Sequence, residues 1–126
     1  MDHEQNKETA RAYLDLAFND KQPAEAFERY VGAVYVQHNP HAPDGVADSV
    51  KALTGFVAQF PQMHLDIKRV LADGDLVVTH ALMKLTPTER GTAVVDILRL
   101  DNGKIVEHWD VLQTVPEQAA NDNTMF

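Results

Sequence analysis

The chain contains no cysteine. That excludes a disulfide framework and any thiolate zinc site, so the folded state must rest on packing, which self-association could extend. Basic side chains are scarce: 11 Lys and Arg stand against 19 Asp and Glu, for a formal charge of -8. No basic run is dense enough to follow a phosphate backbone, so nucleic acid is excluded as an expected partner. Long apolar runs are missing too. No segment approaches the roughly 18 residues of a membrane span, and the polar opening from Met1 to Lys7 lacks a signal-peptide core. The expectation is a soluble, unexported, cytoplasmic protein that engages no membrane.

What is present is an ordinary globular composition, 44% apolar and 24% charged over 126 residues, enough for one hydrophobic core and not for two. One domain is expected over residues 1–115, followed by a tail, 116–126, that shows no periodicity. Between Glu4 and Asn19, the residues Ala10, Tyr13, Leu14, Ala17 and Phe18 recur at helical spacing. Pro23 opens a second, short helix through Ala26, Phe27 and Tyr30. The stretch from Tyr35 to Gly45, with two prolines and a glycine, predicts irregular structure that gathers His38, Asn39 and His41. Val50, Leu53, Phe56, Val57 and Phe60 then restore the helical period until Pro61 closes it.

The period changes after that. His64–Ala72 and Asp75–Leu85 read as strands joined at Asp73-Gly74, and Ala93–Leu100 and Lys104–Val115 as strands joined at Asn102-Gly103. If both turns have two residues, Ile67 lies opposite His80, Leu65 opposite Leu82, Asp96 opposite Trp109, and Ile97 opposite His108. In the first hairpin the face carrying Leu65, Ile67, Leu71, Leu76, Val78, His80 and Leu82 is the more apolar, which predicts that His80 points inward. Helices followed by antiparallel strands make an α+β arrangement: three N-terminal helices packed on a bent antiparallel sheet of about four strands. Val95, Ile97 and Leu112 are then left on the outer face needing cover, so a homodimer is expected.

Three segments now coincide: Tyr35-Val36-Gln37-His38-Asn39-Pro40, Val95-Asp96-Ile97-Leu98-Arg99, and Asn102-Gly103-Lys104-Ile105-Val106-Glu107-His108-Trp109-Asp110-Val111. Together they resemble the SnoaL-like polyketide cyclases of the nuclear-transport-factor-like superfamily, which also contains ketosteroid isomerase and scytalone dehydratase. The ending Asn-Asp-Asn-Thr-Met-Phe is similar to a subgroup described as aldol-condensation-catalysing. The resemblance implies a conical α+β barrel whose pocket suits a small apolar carbonyl or aromatic compound. It also implies that Asp110, at the matching position, serves as acid/base in an intramolecular aldol closure with neither metal nor organic cofactor. The founding cyclase has histidine at the position of Asp96, so the chain departs from it there.

Such a closure needs a base to remove a proton next to a carbonyl and a donor to stabilise the enolate. Asp96, His80, His38 and Asp110 are the candidate catalytic residues, with Tyr35, Trp109, Phe56 and Phe60 as candidate substrate-binding walls. Plain alternation puts Asp96 and Trp109 on one face and Asp110 on the other, so both carboxylates reach one pocket only if a bulge intervenes. The apolar flanks of Asp96 rank it ahead of Asp110. His38 and His41 lack a third ligand in defined geometry, so no metal site is expected. The functional expectation is a cofactor-independent acid/base enzyme, and its alternative a non-catalytic small-molecule binding or accessory protein.

Overall fold

The computed structural model describes residues 2–126. Three helices, α1 (His3–Leu14), α2 (Pro23–Tyr30) and α3 (Val46–Gln59), cover one face of a five-stranded sheet: β1 (Val31–Gln37), β2 (His64–Asp73), β3 (Leu76–Lys84), β4 (Thr92–Asp101) and β5 (Lys104–Thr114). Among the described residues no helix is long and apolar enough to cross a membrane.

The first two helices begin where local chemistry favours it. The Asp2 carboxylate accepts from the backbone N–H of Gln5 at 3.1 Å and caps α1. Pro23 occupies the first turn of α2, where its missing N–H costs nothing. Between them the chain makes a π-helical turn, Asp15–Asn19, and the Asn19 side chain bridges to the backbone of Leu65 in both directions, at 2.9 and 2.8 Å. That clamp holds α1 against β2. The core between the layers includes Ala10, Tyr13, Leu14, Ala17 and Phe27 from the helical side, and Leu65, Val77, Ala81, Leu98 and Ile105 from the sheet.

The sheet order is β1-β5-β4-β3-β2, with β1 parallel to β5 and every other pair antiparallel. It is therefore open and mixed, with one strand more than expected. The irregular segment predicted from Tyr35 begins three residues later than its composition suggests, because Tyr35, Val36 and Gln37 belong to β1, which pairs along the free edge of β5.

Two bulges decide which side chains face the helices. In β5 the Asn102-Gly103 turn forms as expected and pairs Asp101 with Lys104 and Leu100 with Ile105. Val106 is then left out of the ladder, which shifts every later pair by one: Leu98 meets His108, Ile97 meets Trp109, and Asp96 meets Asp110. The expected pairs Asp96–Trp109 and Ile97–His108 are thus corrected. In the first hairpin the turn residues are Gly74 and Asp75 rather than Asp73-Gly74, and Lys68 is left unpaired. His80 pairs with Arg69 and Leu65 with Met83, in place of Ile67–His80 and Leu65–Leu82. Val77, Thr79 and Ala81 are the fully buried, helix-facing residues of β3, so His80 points to the opposite side.

Gly91 precedes β4 with φ +89, and a Cβ there would lie 2.7 Å from both the Met83 carbonyl oxygen and Leu82 Cδ1. Neither the backbone angle nor the space suits another residue. Gly91→Ala is expected to cost about 1–3 kcal/mol, read as a lower denaturant midpoint with an unchanged slope. An unchanged midpoint would show that the β3–β4 connection relaxes freely.

Candidate functional site

Between the helices and the concave side of the sheet lies a cavity of about 320 Å³. Leu14, Phe18, Leu53 and Phe56 form its helical wall, and Leu65, Met83 and Val94 its sheet wall. The polar lining comes largely from two places: Asp96, His108 and Asp110 on β4 and β5, and Gln37 and Asn39 at the end of β1. The Val106 bulge is what brings the first three together, since it turns His108 and Asp110 to the same side as Asp96.

These five side chains form one hydrogen-bonded array, and its donors and acceptors can be assigned. Gln37 Oε1 accepts from the backbone N–H of Asn39 at 3.0 Å and faces His108 Nδ1 at 2.8 Å. An amide oxygen can only accept, so His108 Nδ1 carries a hydrogen. The other ring nitrogen, Nε2, lies 2.7 Å from Asp96 Oδ1. Two bare lone pairs at that distance would repel, so a second hydrogen lies between them, on the imidazolium or on the carboxylic acid. Asp110 stands next to it, with Oδ2 3.9 Å from Nε2 and accepting from Asn39 Nδ2 at 3.0 Å. The Asp96 side chain is 9% exposed, the His108 side chain 12% and the Asp110 side chain 13%, so the shared proton sits where water competes little.

Two tyrosines extend the polar lining. Burial pushes the Tyr13 and Tyr35 hydroxyls well above the ordinary phenol range, so both remain hydrogen-bond donors at neutral pH. Gln37 Nε2 donates to the Tyr35 oxygen at 3.5 Å. Beneath Asp96, its cross-strand neighbour Thr79 is fully buried, and its hydroxyl has no partner among the described residues.

Of the residues singled out from the sequence, Asp96, Asp110, Tyr35 and Phe56 line this cavity. His80, His38, Trp109 and Phe60 do not. His80 lies on the outer face, bonded to Arg69 and stacked with Phe126 at 5.8 Å. Its inward placement failed because Leu76, Val78 and Leu82 make the outer side of β3 as apolar as the inner side, leaving no contrast to orient the strand. His38 also turns outward. Its Nε2 lies 2.7 Å from Glu107 and its ring stacks on Trp109 at 4.7 Å and 1°, so the same bulge that admits Asp110 carries Trp109 away. His38 and Arg99 together hold the Glu107 carboxyl below its usual range. Phe60 packs on Phe56 at 5.3 Å, behind the cavity wall. Leu112, expected outside, lines the cavity.

His108 and Gln37 were missed as site residues. Their signal was available in part: both belong to the segments that carry the family resemblance, but only the bulge and the parallel β1–β5 pairing join them.

Asp96, His108 and Asp110 each present one ligand atom within 4.8 Å of the others. With Nδ1–H fixed on Gln37, His108 Nε2 is the ring atom turned toward both carboxylates, the arrangement in which a divalent cation could replace the shared proton.

Similar folds occur in proteins of several named chemistries. A proposed polyketide cyclase from Acidithiobacillus ferrooxidans superposes with a TM-score of 0.71 at 22% identity, over 86% of this chain and 87% of that one. A proposed ketosteroid isomerase from Kribbella flavida gives 0.73 at 22% identity, over 95% and 86%. A proposed hydroxylase from Streptomyces galilaeus gives 0.70 at 21% identity, over 89% and 91%. At these identities the likeness concerns the fold. No curated protein matches the chain. The SnoaL-like domain family matches residues 10–108, from the buried face of α1 to the histidine of the proton-sharing pair, and the chain belongs to that family.

Proposed function

We propose that the protein is a cofactor-independent acid/base enzyme acting on a small apolar carbonyl compound, by aldol-type ring closure or a related proton transfer. The observation that carries this reading is the hydrogen shared between Asp96 and His108, with Asp110 3.9 Å from the same ring nitrogen in a largely apolar cavity. Asp110 Oδ1 has no protein partner among the described residues and can accept a proton from the carbon next to a carbonyl. The enolate carbon then attacks a second carbonyl of the same molecule, and the resulting alkoxide takes the hydrogen from His108 Nε2. Return of the proton from Asp110 to the Asp96–His108 pair resets the site. Asn39 positions the base, and Gln37 positions the imidazole. In an isomerisation the same groups would return the proton to a different carbon.

Proton NMR in deuterated buffer tests the first step without the cognate substrate. A panel of cyclic ketones and diketones should exchange their α-protons faster with the protein than without it. Compounds that bind with no exchange across the whole panel would replace the catalytic reading with that of a small-molecule binding or accessory protein.

The proposal includes a cytoplasmic location and a homodimer. Val34 and Val111, on the neighbouring strands β1 and β5, are each 67% exposed, apolar side chains that a partner would cover. Sedimentation at micromolar concentration should give twice the chain mass; a monomer at that concentration would remove the argument.

A further inference from the structure

One buried polar group takes no part in the proton-sharing array. Thr79 is 0% exposed, and its hydroxyl has no hydrogen-bond partner among the described residues. Because β3 is an interior strand, the backbone around Thr79 is engaged in ladders with β2 on one side and β4 on the other. On the same face of the sheet its neighbours are Val77 and Ala81 along the strand, Val70 across on β2, and Asp96 across on β4. Of these four side chains only Asp96 offers an acceptor. A hydroxyl buried without a partner disfavours the folded state, and valine would fill the same space without that cost. The β-branch that suits a strand is common to both residues, so the fold has no need of the oxygen.

The charge on Asp96 gives the oxygen a use. At rest, Asp96 Oδ1 shares a hydrogen with His108 Nε2 at 2.7 Å. When that hydrogen leaves, an ionised carboxylate faces the bare lone pair of Nε2, because Nδ1 keeps its own hydrogen on Gln37. The carboxylate has then lost its donor in a site where water competes little. Residues directly opposed on antiparallel strands have Cβ atoms about 4.5–5.5 Å apart. Rotation of Thr79 about its Cα–Cβ bond therefore brings a hydroxyl donor within reach of that carboxylate.

We propose that Thr79 is a positioning residue of the site, a hydrogen-bond donor to Asp96 that engages only when the Asp96–His108 pair has lost its shared hydrogen. It stabilises the carboxylate in the interval between transfer of the His108 hydrogen to the alkoxide and return of the proton from Asp110. For that step it rests on the acid/base reading. Its effect on the pair does not, since the hydroxyl favours the hydrogen-depleted form with or without a substrate and so makes the shared hydrogen easier to release. Asp110 on β5, Tyr13 on α1 and Tyr35 on β1 are the other titratable groups near Asp96, and both tyrosines stay protonated at neutral pH.

Nitrogen NMR of the His108 ring, followed from neutral into alkaline solution without substrate, reads the pair directly. In Thr79→Val the shared hydrogen should be lost about one pH unit higher than in the native protein, the scale of one hydrogen bond to a charged group. Thr79→Ser, which restores the hydroxyl, should bring the midpoint back toward the native value. Thr79→Val should also melt no lower than the native protein, while exchanging ketone α-protons about 10-fold more slowly. If the valine variant does not fold, Thr79→Ser compared with Thr79→Ala isolates the same hydroxyl. A midpoint that Thr79→Val leaves unchanged or lowers overturns the proposal, and a lower melting temperature with an unchanged midpoint assigns the hydroxyl to structure. A raised midpoint in a protein that exchanges no ketone at all keeps the Thr79–Asp96 bond and removes the acid/base reading instead.

Discussion

Asp110→Asn is expected to slow α-proton exchange of a responsive ketone by about 100-fold or more, the lower end of what a positioned general base contributes. The substitution keeps the size of the side chain, and an amide oxygen can still accept from Asn39 Nδ2, as the carboxylate does at 3.0 Å. What it removes is the oxygen that takes the proton. Asp96→Asn should also suppress exchange, for a different reason: an amide in its place cannot hold the acidic hydrogen that Asp96 and His108 share at 2.7 Å. His80→Gln and His38→Ala provide the contrast, because both rings lie outside the cavity lining, against Arg69 and Glu107 respectively. Their exchange rates should stay near that of the native protein. A loss for His80→Gln comparable to that for Asp110→Asn would sink the assignment of the chemistry to the concave face.

Leu98→Ala is expected to destabilise the fold by about 2–5 kcal/mol, through lost apolar burial and the void left in a region that cannot fully collapse. Leu98 is fully buried in the core that Tyr13, Leu14 and Ile105 share. It is also the cross-strand partner of His108, so the void opens beside the imidazole that the site needs held still. Urea unfolding should show a lower midpoint at constant slope. A cost under about 1 kcal/mol would mean that the helices settle onto the sheet and refill the space.

The two hairpins illustrate how much the sequence could say. Asn102-Gly103 turned where it was expected to turn, because a two-residue connection with positive φ at both positions suits few other residues, and Asn102 and Gly103 adopt +50 and +76. The register beyond it was not legible. A bulge depends on how well two strands fit a curved sheet, and Val106 is an unremarkable β-branched residue with no local mark of being left out of the ladder. One residue of slip exchanges the faces of every side chain beyond it, which is why Trp109 and Asp110 changed places relative to simple alternation.

The helices, by contrast, were legible almost throughout, since the stripe Ala10, Tyr13, Leu14 and Ala17 encodes a buried face in its own spacing. His80 was misplaced because β3 is apolar on both sides, and burial from the outer side is set by neighbouring strands and Phe126 rather than by local pattern. His108 shows the same limit from the other direction: its chemistry comes from Gln37, Asp96 and Asp110, which lie 71, 12 and 2 positions away in the chain.

By itself, then, the sequence determined the α+β class, the three helices, the two hairpins, the excess of negative charge and the family to which residues 10–108 belong. Each of these follows from local period, turn chemistry or composition. Tertiary structure alone decided that β1 would add a parallel edge, that Val106 would bulge, and that Asp96, His108 and Asp110 would therefore share one cavity. The physical reason is that a site built across strands depends on register and curvature, which the packed sheet sets as a whole and no single segment carries.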